Sequence, residues 1–326
     1  MSIKHFTILL LSILFVASCE KAEKPYPLPE PGSANFDKLD IGDNYQKHIF
    51  YSLEKGIIAE DSFTIWDFCF TQDFNHLELW LNGGKGNLIY KTEETNFTKS
   101  DYSIPASKWN YDSPTWNPKE SAYGFIKNED LQKVWLLKIK NKTFKFQIIS
   151  FNNVDGIHLK FGSIDDSLGS IHQLEPNPNY SYLYFSAEKG PIQIEPNKEK
   201  WDVLFTRYRH IFYGENPDGS DMPYFVNGVL LNPYQTMGAA DTLNPRNFDD
   251  FTIDTALMHY ELTKQRDIIG YHWKEVNINN GEYTILPKRI YIIRDQQDKL
   301  WKIHFVNFYN DDGLKGKPQF EFQQIQ

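Results

Sequence analysis

The chain has 326 residues, a formal net charge of −9, and 16% aromatic residues, with 19 Tyr, 24 Phe and 8 Trp. No Lys/Arg-rich patch stands out against the acidic balance, so nucleic acid is not an expected partner. Its two cysteines form no CxxC or Cys/His zinc pattern, and so much aromatic character favours strands.

The first segment reads as an export signal. Lys4 places a positive charge ahead of the apolar run Phe6 to Val16, which is interrupted by Thr7 and Ser12. A bilayer-spanning helix needs about 20 apolar residues, whereas a secretory signal core needs roughly 7–15. Val16-Ala-Ser-Cys19 then resembles the lipobox of bacterial lipoproteins, in which cleavage precedes the cysteine and its thiol receives lipid. Residues 1–18 are therefore expected to be a signal peptide and Cys19 a lipidation site that tethers the protein to a membrane. More than one acyl chain makes a durable anchor, at about 0.8 kcal/mol per buried methylene. Residues 19–40 follow as a charged and Pro-rich stalk, centred on Pro25-Tyr-Pro-Leu-Pro-Glu-Pro31. No later stretch has 18 consecutive apolar residues, so the body is expected outside the bilayer.

Period-two alternation dominates that body. Trp66, Phe68 and Phe70 are expected on one strand face, with Asp67, Cys69 and Thr71 on the other. Phe144, Phe146 and Ile148 alternate with Lys145 and Gln147, as Trp301, Ile303 and Phe305 do with Lys302, His304 and Val306. Such alternation marks strands with one buried face. Asn82-Gly-Gly, Asn153-Val-Asp-Gly, Asp218-Gly, Asn279-Asn-Gly and Asp311-Asp-Gly read as turns, the first as a hairpin. The segment Thr255 to Ile269 is the one plausible helix. The fold class expected is all-β.

The sequence also repeats itself. His48-Ile-Phe-Tyr-Ser-Leu-Glu-Lys-Gly56 and then Trp66-Asp-Phe-Cys-Phe-Thr71 parallel Tyr182-Leu-Tyr-Phe-Ser-Ala-Glu-Lys-Gly190 and then Trp201-Asp-Val-Leu-Phe-Thr206. The ends match too, Val134 to Ile139 with Thr143 to Asn153 against Ile290 to Arg294 with Leu300 to Asn310, and the second half is longer in its middle. Two tandem related antiparallel β domains are expected, 41–174 and 175–326, divided at the turn-rich Glu175-Pro-Asn-Pro-Asn179. Trp66, Asp67, Trp201 and Asp202 read as structural, with Arg207 a candidate partner for Asp202.

The second half resembles the HmuY family of haem-binding lipoproteins of Bacteroidota. The resemblance runs through Tyr182 to Gly190, Trp201-Asp-Val-Leu-Phe-Thr-Arg-Tyr208, Ile269-Gly-Tyr-His-Trp-Lys274, Gly281-Glu-Tyr-Thr284, Ile290 to Asp295, Lys302 to Tyr309 and Gly316 to Phe322. The first half matches more weakly, with Gln72-Asp73 in place of Arg207-Tyr208. The resemblance implies an all-β haem binder at the outer membrane, serving iron capture beside a TonB-dependent receptor, its iron held by two His or Met side chains. In short members a His follows the late Trp by five residues; here that position is Ile278, so ligands do not carry over one by one.

Haem iron takes lone-pair donors, commonly His or Met, within an apolar pocket. Met222, Met237 and Met258 all lie in the longer middle of the second half, with His210, His259 and His272 in or beside it. Met258 with its neighbour His259 leads, then His272 beside Tyr271 and Trp273, with Met237 and Met222 as further candidates. The competing expectation is a surface glycan-binding or transporter-associated structural lipoprotein, with Trp109, Tyr111 and Trp116 as bare stacking platforms. No G-x-S-x-G, Walker or HExxH pattern occurs, so an enzyme is not expected.

Overall fold

The computed structural model describes residues 34–42, 44–242, 246–277 and 279–325. The expected signal peptide, the expected lipidation site Cys19 and most of the expected stalk lie outside them, as does Ile278. The body is all-β, as its alternation implies, and every strand pair is antiparallel. Among the described residues no helix is long and apolar enough to cross a membrane.

Four sheets form two lobes. In the first lobe, β6 (Leu88–Lys91), β7 (Val134–Ile139), β8 (Lys142–Asn152), β9 (Gly156–Ser163) and β10 (Ser170–Leu174) run as a meander. It packs against a four-stranded sheet of β4 (Phe68–Thr71), β5 (Leu79–Leu81), β11 (Tyr182–Ser186) and β12 (Gly190–Ile192). Phe68 stacks between Phe146 at 5.1 Å and Phe185 at 5.0 Å in that core. In the second lobe, one sheet holds β1 (Asn35–Lys38), β15 (Met237–Asp241), β18 (Ile290–Arg294), β19 (Leu300–Tyr309) and β20 (Lys315–Gln324). The other holds β2 (Lys47–Ser52), β3 (Gly56–Ser62), β13 (Val203–Phe212) and β14 (Met222–Leu231). Tyr51, Phe205, Phe305 and Phe320 meet between them. A short ribbon, β16 (Lys274–Val276) with β17 (Tyr283–Ile285), completes the strands.

The two halves of the sequence are interleaved. The β2–β3 hairpin, from the first half, pairs with β13 of the second, while the β11–β12 hairpin, from the second half, pairs with β4 of the first. The division at 174/175 thus cuts across two sheets. Each exchanged hairpin is fastened by the Trp-Asp unit of the strand that receives it. Asp67 Oδ2 accepts from Ala187 N at 2.8 Å, and Asp202 Oδ2 accepts from Leu53 N at 2.9 Å. Each aspartate backbone N–H also donates to the hairpin, to Phe185 O and Tyr51 O, both at 2.8 Å. An asparagine completes each unit: Asn82 Nδ2 donates to Phe63 O and Trp66 O, and Asn232 Nδ2 to Lys198 O and Trp201 O. The hairpins turn at Gly56 and Gly190, whose φ values of 79° and 76° favour glycine.

Several local expectations change. Arg207 does not partner Asp202; its guanidinium lies over the Phe225 ring at 4.3 Å, on the face of β13 turned toward the first lobe. Trp66 packs beside Cys69 rather than with Phe68 and Phe70, because it precedes the strand and leaves a 3-10 turn, Phe63–Ile65. The Asn82-Gly-Gly turn is no hairpin: it carries the chain from β5 into β6, which belong to different sheets. The helix covers only Ile253–His259, capped by Thr252, since Thr263 must leave it to bridge Gly238 at the edge of β15. The polar strand faces are not solvent faces. Lys145 and Gln147 are buried under the segment before β7, donating to Lys99 O and Thr95 O, and Lys302 donates to Phe248 O and Phe251 O. Buried donors satisfied by loop carbonyls hold these long connections on the sheets.

Candidate functional site

The longest hairpin builds the site. β13 and β14 stay in register over ten residue pairs, whereas β2 follows β13 only through Phe205. The far end therefore projects beyond the sheet. Directly paired residues share a face, so His210 with Tyr224, and Phe212 with Met222, line one side of it.

The segment before β16 closes on that side. Gly270 bridges Val229 with hydrogen bonds of 2.9 and 3.0 Å, and Gly228 makes the approach possible. A Cβ at Gly228 would stand 2.2 Å from Gly270 O, far inside van der Waals contact. Trp273 then anchors the turn, buried and stacked on Phe305 at 4.1 Å. Arg289 Nη1 donates to His272 O. Tyr271 and His272 are thereby set over β13.

Five rings meet there. Tyr271 lies 4.9 Å from His210 and 4.3 Å from His272, and the two histidines are 5.8 Å apart with rings nearly perpendicular. Phe212 lies 4.9 Å from His210, 6.1 Å from Tyr271 and 6.2 Å from Tyr224. Tyr213 and Tyr224 are exposed at the rim. His210 Nδ1 is buried without a hydrogen-bond partner. Burial lowers the pKa of both histidines: Asp267 opposes the shift at each, and His210 adds to it at His272. Both imidazoles are thus neutral at pH 7, and a neutral imidazole keeps a lone pair for a metal. Among the described residues, no three or more His, Cys, Asp or Glu gather as a ligand set for a bare metal ion.

The other candidates are dispersed. Met222 stands at the site, opposite Phe212. Met237 opens β15, its sulfur held by Arg294 Nη2. Met258 and His259 are exposed on the helix, which packs with Phe248 and Phe251 over the outer face of the β15–β18–β19 sheet. His210 and Tyr271 instead cover the outer face of the β13–β14 sheet. So the fold joins His272 to His210 and Met222, and sets Met237, Met258 and His259 elsewhere. The Trp109, Tyr111 and Trp116 rings are not bare. Trp116 stacks on Trp80 at 4.7 Å with Arg266 at 4.2 Å, Tyr111 carries Arg209 at 5.1 Å, and Trp109 carries Lys138 at 5.7 Å.

The HmuY protein family model matches residues 44–322, a span that takes in both lobes and the whole ring cluster. The chain belongs to the HmuY family. Among solved structures it is similar to an apo HmuY analogue of Tannerella forsythia, at 10% identity and a TM-score of 0.26, covering 91% of this chain and 98% of that one. A Bacteroides vulgatus protein described as HmuY-like and haem-binding matches at 11% identity and 0.23, covering 92% and 97%. A Bacteroides fragilis protein described as a lipoprotein matches at 14% and 0.22, covering 47% of this chain and 76% of that one. At these scores family membership rests on the 44–322 match. No curated protein matches the chain.

Proposed function

We propose that this HmuY-family chain binds haem or a related tetrapyrrole, without catalysis, at the aromatic cluster on the β13–β14 hairpin. His210 and His272 serve as iron donors, with Met222 as the nearest alternative. The observation that carries the reading is the pair of imidazoles among stacked rings, one with a buried, unpartnered nitrogen. Bound haem would supply an iron that accepts such donors and a flat apolar macrocycle. The chain's own residues supply the rest. Phe212, Tyr224 and Tyr271 offer ring faces to the macrocycle, and the buried Trp273 fixes the turn that carries His272.

Cys19 would tether this body through lipid to the outer membrane, on a Pro-rich stalk, where a TonB-dependent receptor is the partner for iron acquisition. Family membership and the lipobox-like Val16 to Cys19 support that placement. Haemin titrated into the detergent-solubilised full-length chain tests the ligand. A shifted Soret band that saturates near one equivalent supports the proposal; the spectrum of free haemin at every ratio contradicts it.

A further inference from the structure

A second cleft lies between the lobes. Beyond Phe205, where β2 stops pairing, β13 runs against the turn Gly83–Lys85 of the first lobe. The contact is close enough that a Cβ at Gly84 would stand 2.4 Å from Arg207 O. Beside it a partly open cleft of about 50 Å³ lies between the two lobes, lined among others by His48, Asp112, Trp116, Arg207, Arg209 and Arg266.

Its cations outnumber the carboxyls near them, Asp112 acting on Arg209 and the buried Glu195 on Arg266. Arg209 and Arg266 are 5% and 4% exposed, and among the described residues none of the three arginines forms an ion pair. Arg209 Nη2 donates to Asn87 O at 3.1 Å, but Nη1 has no partner. Arg266 Nε donates to Leu231 O at 2.8 Å while its guanidinium lies on the Trp116 ring. His48 is 2% exposed and its Nε2 also lacks a partner. The one carboxyl of the lining, Asp112, is engaged by its own surroundings. Its oxygens accept from Leu81 N at 2.5 Å and Ala122 N at 2.6 Å, and burial pushes its pKa up to about 7. Buried cations without an ion pair, as Arg209 and Arg266 are, are costly, and a bound counter-ion relieves that cost.

We propose that this cleft binds a small oxyanion, a phosphate or a carboxylate, received by Arg209 Nη1 and His48 Nε2 with Arg207 and Arg266 supplying further positive charge. Guanidinium groups suit both anions, since their paired N–H donors match two oxygens at once. Size sets the class. A water occupies roughly 10–15 Å³ on this measure, so the space holds a few water-sized groups and no tetrapyrrole. Because His48 and Arg209 belong to the second lobe and Trp116 and Asp112 to the first, the anion would tie the lobes together.

Calorimetric titration of the full-length chain with inorganic phosphate, and separately with acetate, at ionic strength held constant with sodium chloride, tests the site. Saturable one-to-one binding of either anion is expected, with the nitrogen resonance of His48 moving on saturation. Arg209→Met should weaken binding about tenfold or more, and Lys138→Gln, on the outer part of the first lobe, should leave it unchanged. No saturable heat with either anion overturns the proposal, and so does binding that leaves the His48 resonance still. A cooperatively melting Arg209→Met chain that binds as tightly as wild type overturns it as well. The His48 measurement uses wild type alone, so a variant that fails to fold does not block the decision.

Discussion

Replacing Asp67 by alanine tests whether the exchanged hairpins are held as described. Asp67 is 2% exposed; its Oδ2 accepts from Ala187 N in the β11–β12 hairpin, and its Oδ1 accepts from Asn87 Nδ2 and pairs with Lys85. The Lys85 side chain is only 12% exposed, so alanine leaves an ammonium with little water and no counter-charge. Removing one partner of such a pair costs about 3–5 kcal/mol. The stranded Ala187 N–H would add roughly 1–3 kcal/mol if nothing relaxed. The two losses overlap because the same hairpin loosens, so a total of about 4 kcal/mol is expected. In a body of this size that is on the order of 8 °C in Tm. Guanidinium denaturation followed by tryptophan fluorescence should show the loss as a lower midpoint at unchanged slope. Adding Lys85→Met removes the unpaired charge and should restore about half of the loss. A loss below about 1 kcal/mol for Asp67→Ala, or no recovery in the double variant, would refute the reasoning.

Two further outcomes follow from the geometry. Gly228→Ala places a methyl 2.2 Å from Gly270 O, a backbone atom that cannot rotate away, so a loss of about 1–3 kcal/mol and weakened haemin binding are expected. Wild-type midpoint and affinity in that variant would show that Gly270 does not sit against β14. Burial lowers the His48 pKa to about 4, against the opposing charge of Asp61, so His48 is neutral when folded and protonates more readily unfolded. Its linkage contribution is therefore intact above pH 6.5 and is lost as pH falls from there toward 4, about 3 kcal/mol in all. Asp112, Glu195 and Asp202 have pKa values raised by burial and change stability in the opposite sense over the same range. The His48→Phe difference from wild type isolates the histidine: it should grow in the variant's favour on acidification, and a pH-independent difference would contradict the burial argument.

Strand character and turn positions were legible because alternation and Gly/Asn turns are local signals. Partner choice was not. The likeness of His48–Gly56 to Tyr182–Gly190 marks equivalent hairpins, yet both carry the same alternation and both Trp-Asp strands accept it, so nothing local says that each hairpin crosses over. The polar positions Lys145, Gln147 and Lys302 look solvent-facing in a strand pattern; long connections cover them, and their donors find carbonyls far away in sequence. At the candidate site the concentration of Met and His marks the second half of the chain but singles out no pair within it. A closer signal was the aromatic company of two of them, His210 within Tyr208 to Tyr213 and His272 between Tyr271 and Trp273. Met258 and His259, neighbours in sequence, end a short helix whose buried residue is Ala256, which leaves both exposed.

The most direct test of the central claim compares haemin binding by wild type, the His210→Ala/His272→Ala chain and the Met258→Ala/His259→Ala chain, by Soret titration and low-temperature electron paramagnetic resonance. The cluster geometry predicts that the first double variant loses the wild-type Soret position and low-spin signal, with affinity at least about tenfold weaker, while the second matches wild type. Loss of both signals in the Met258→Ala/His259→Ala chain, with His210→Ala/His272→Ala unchanged, would contradict it.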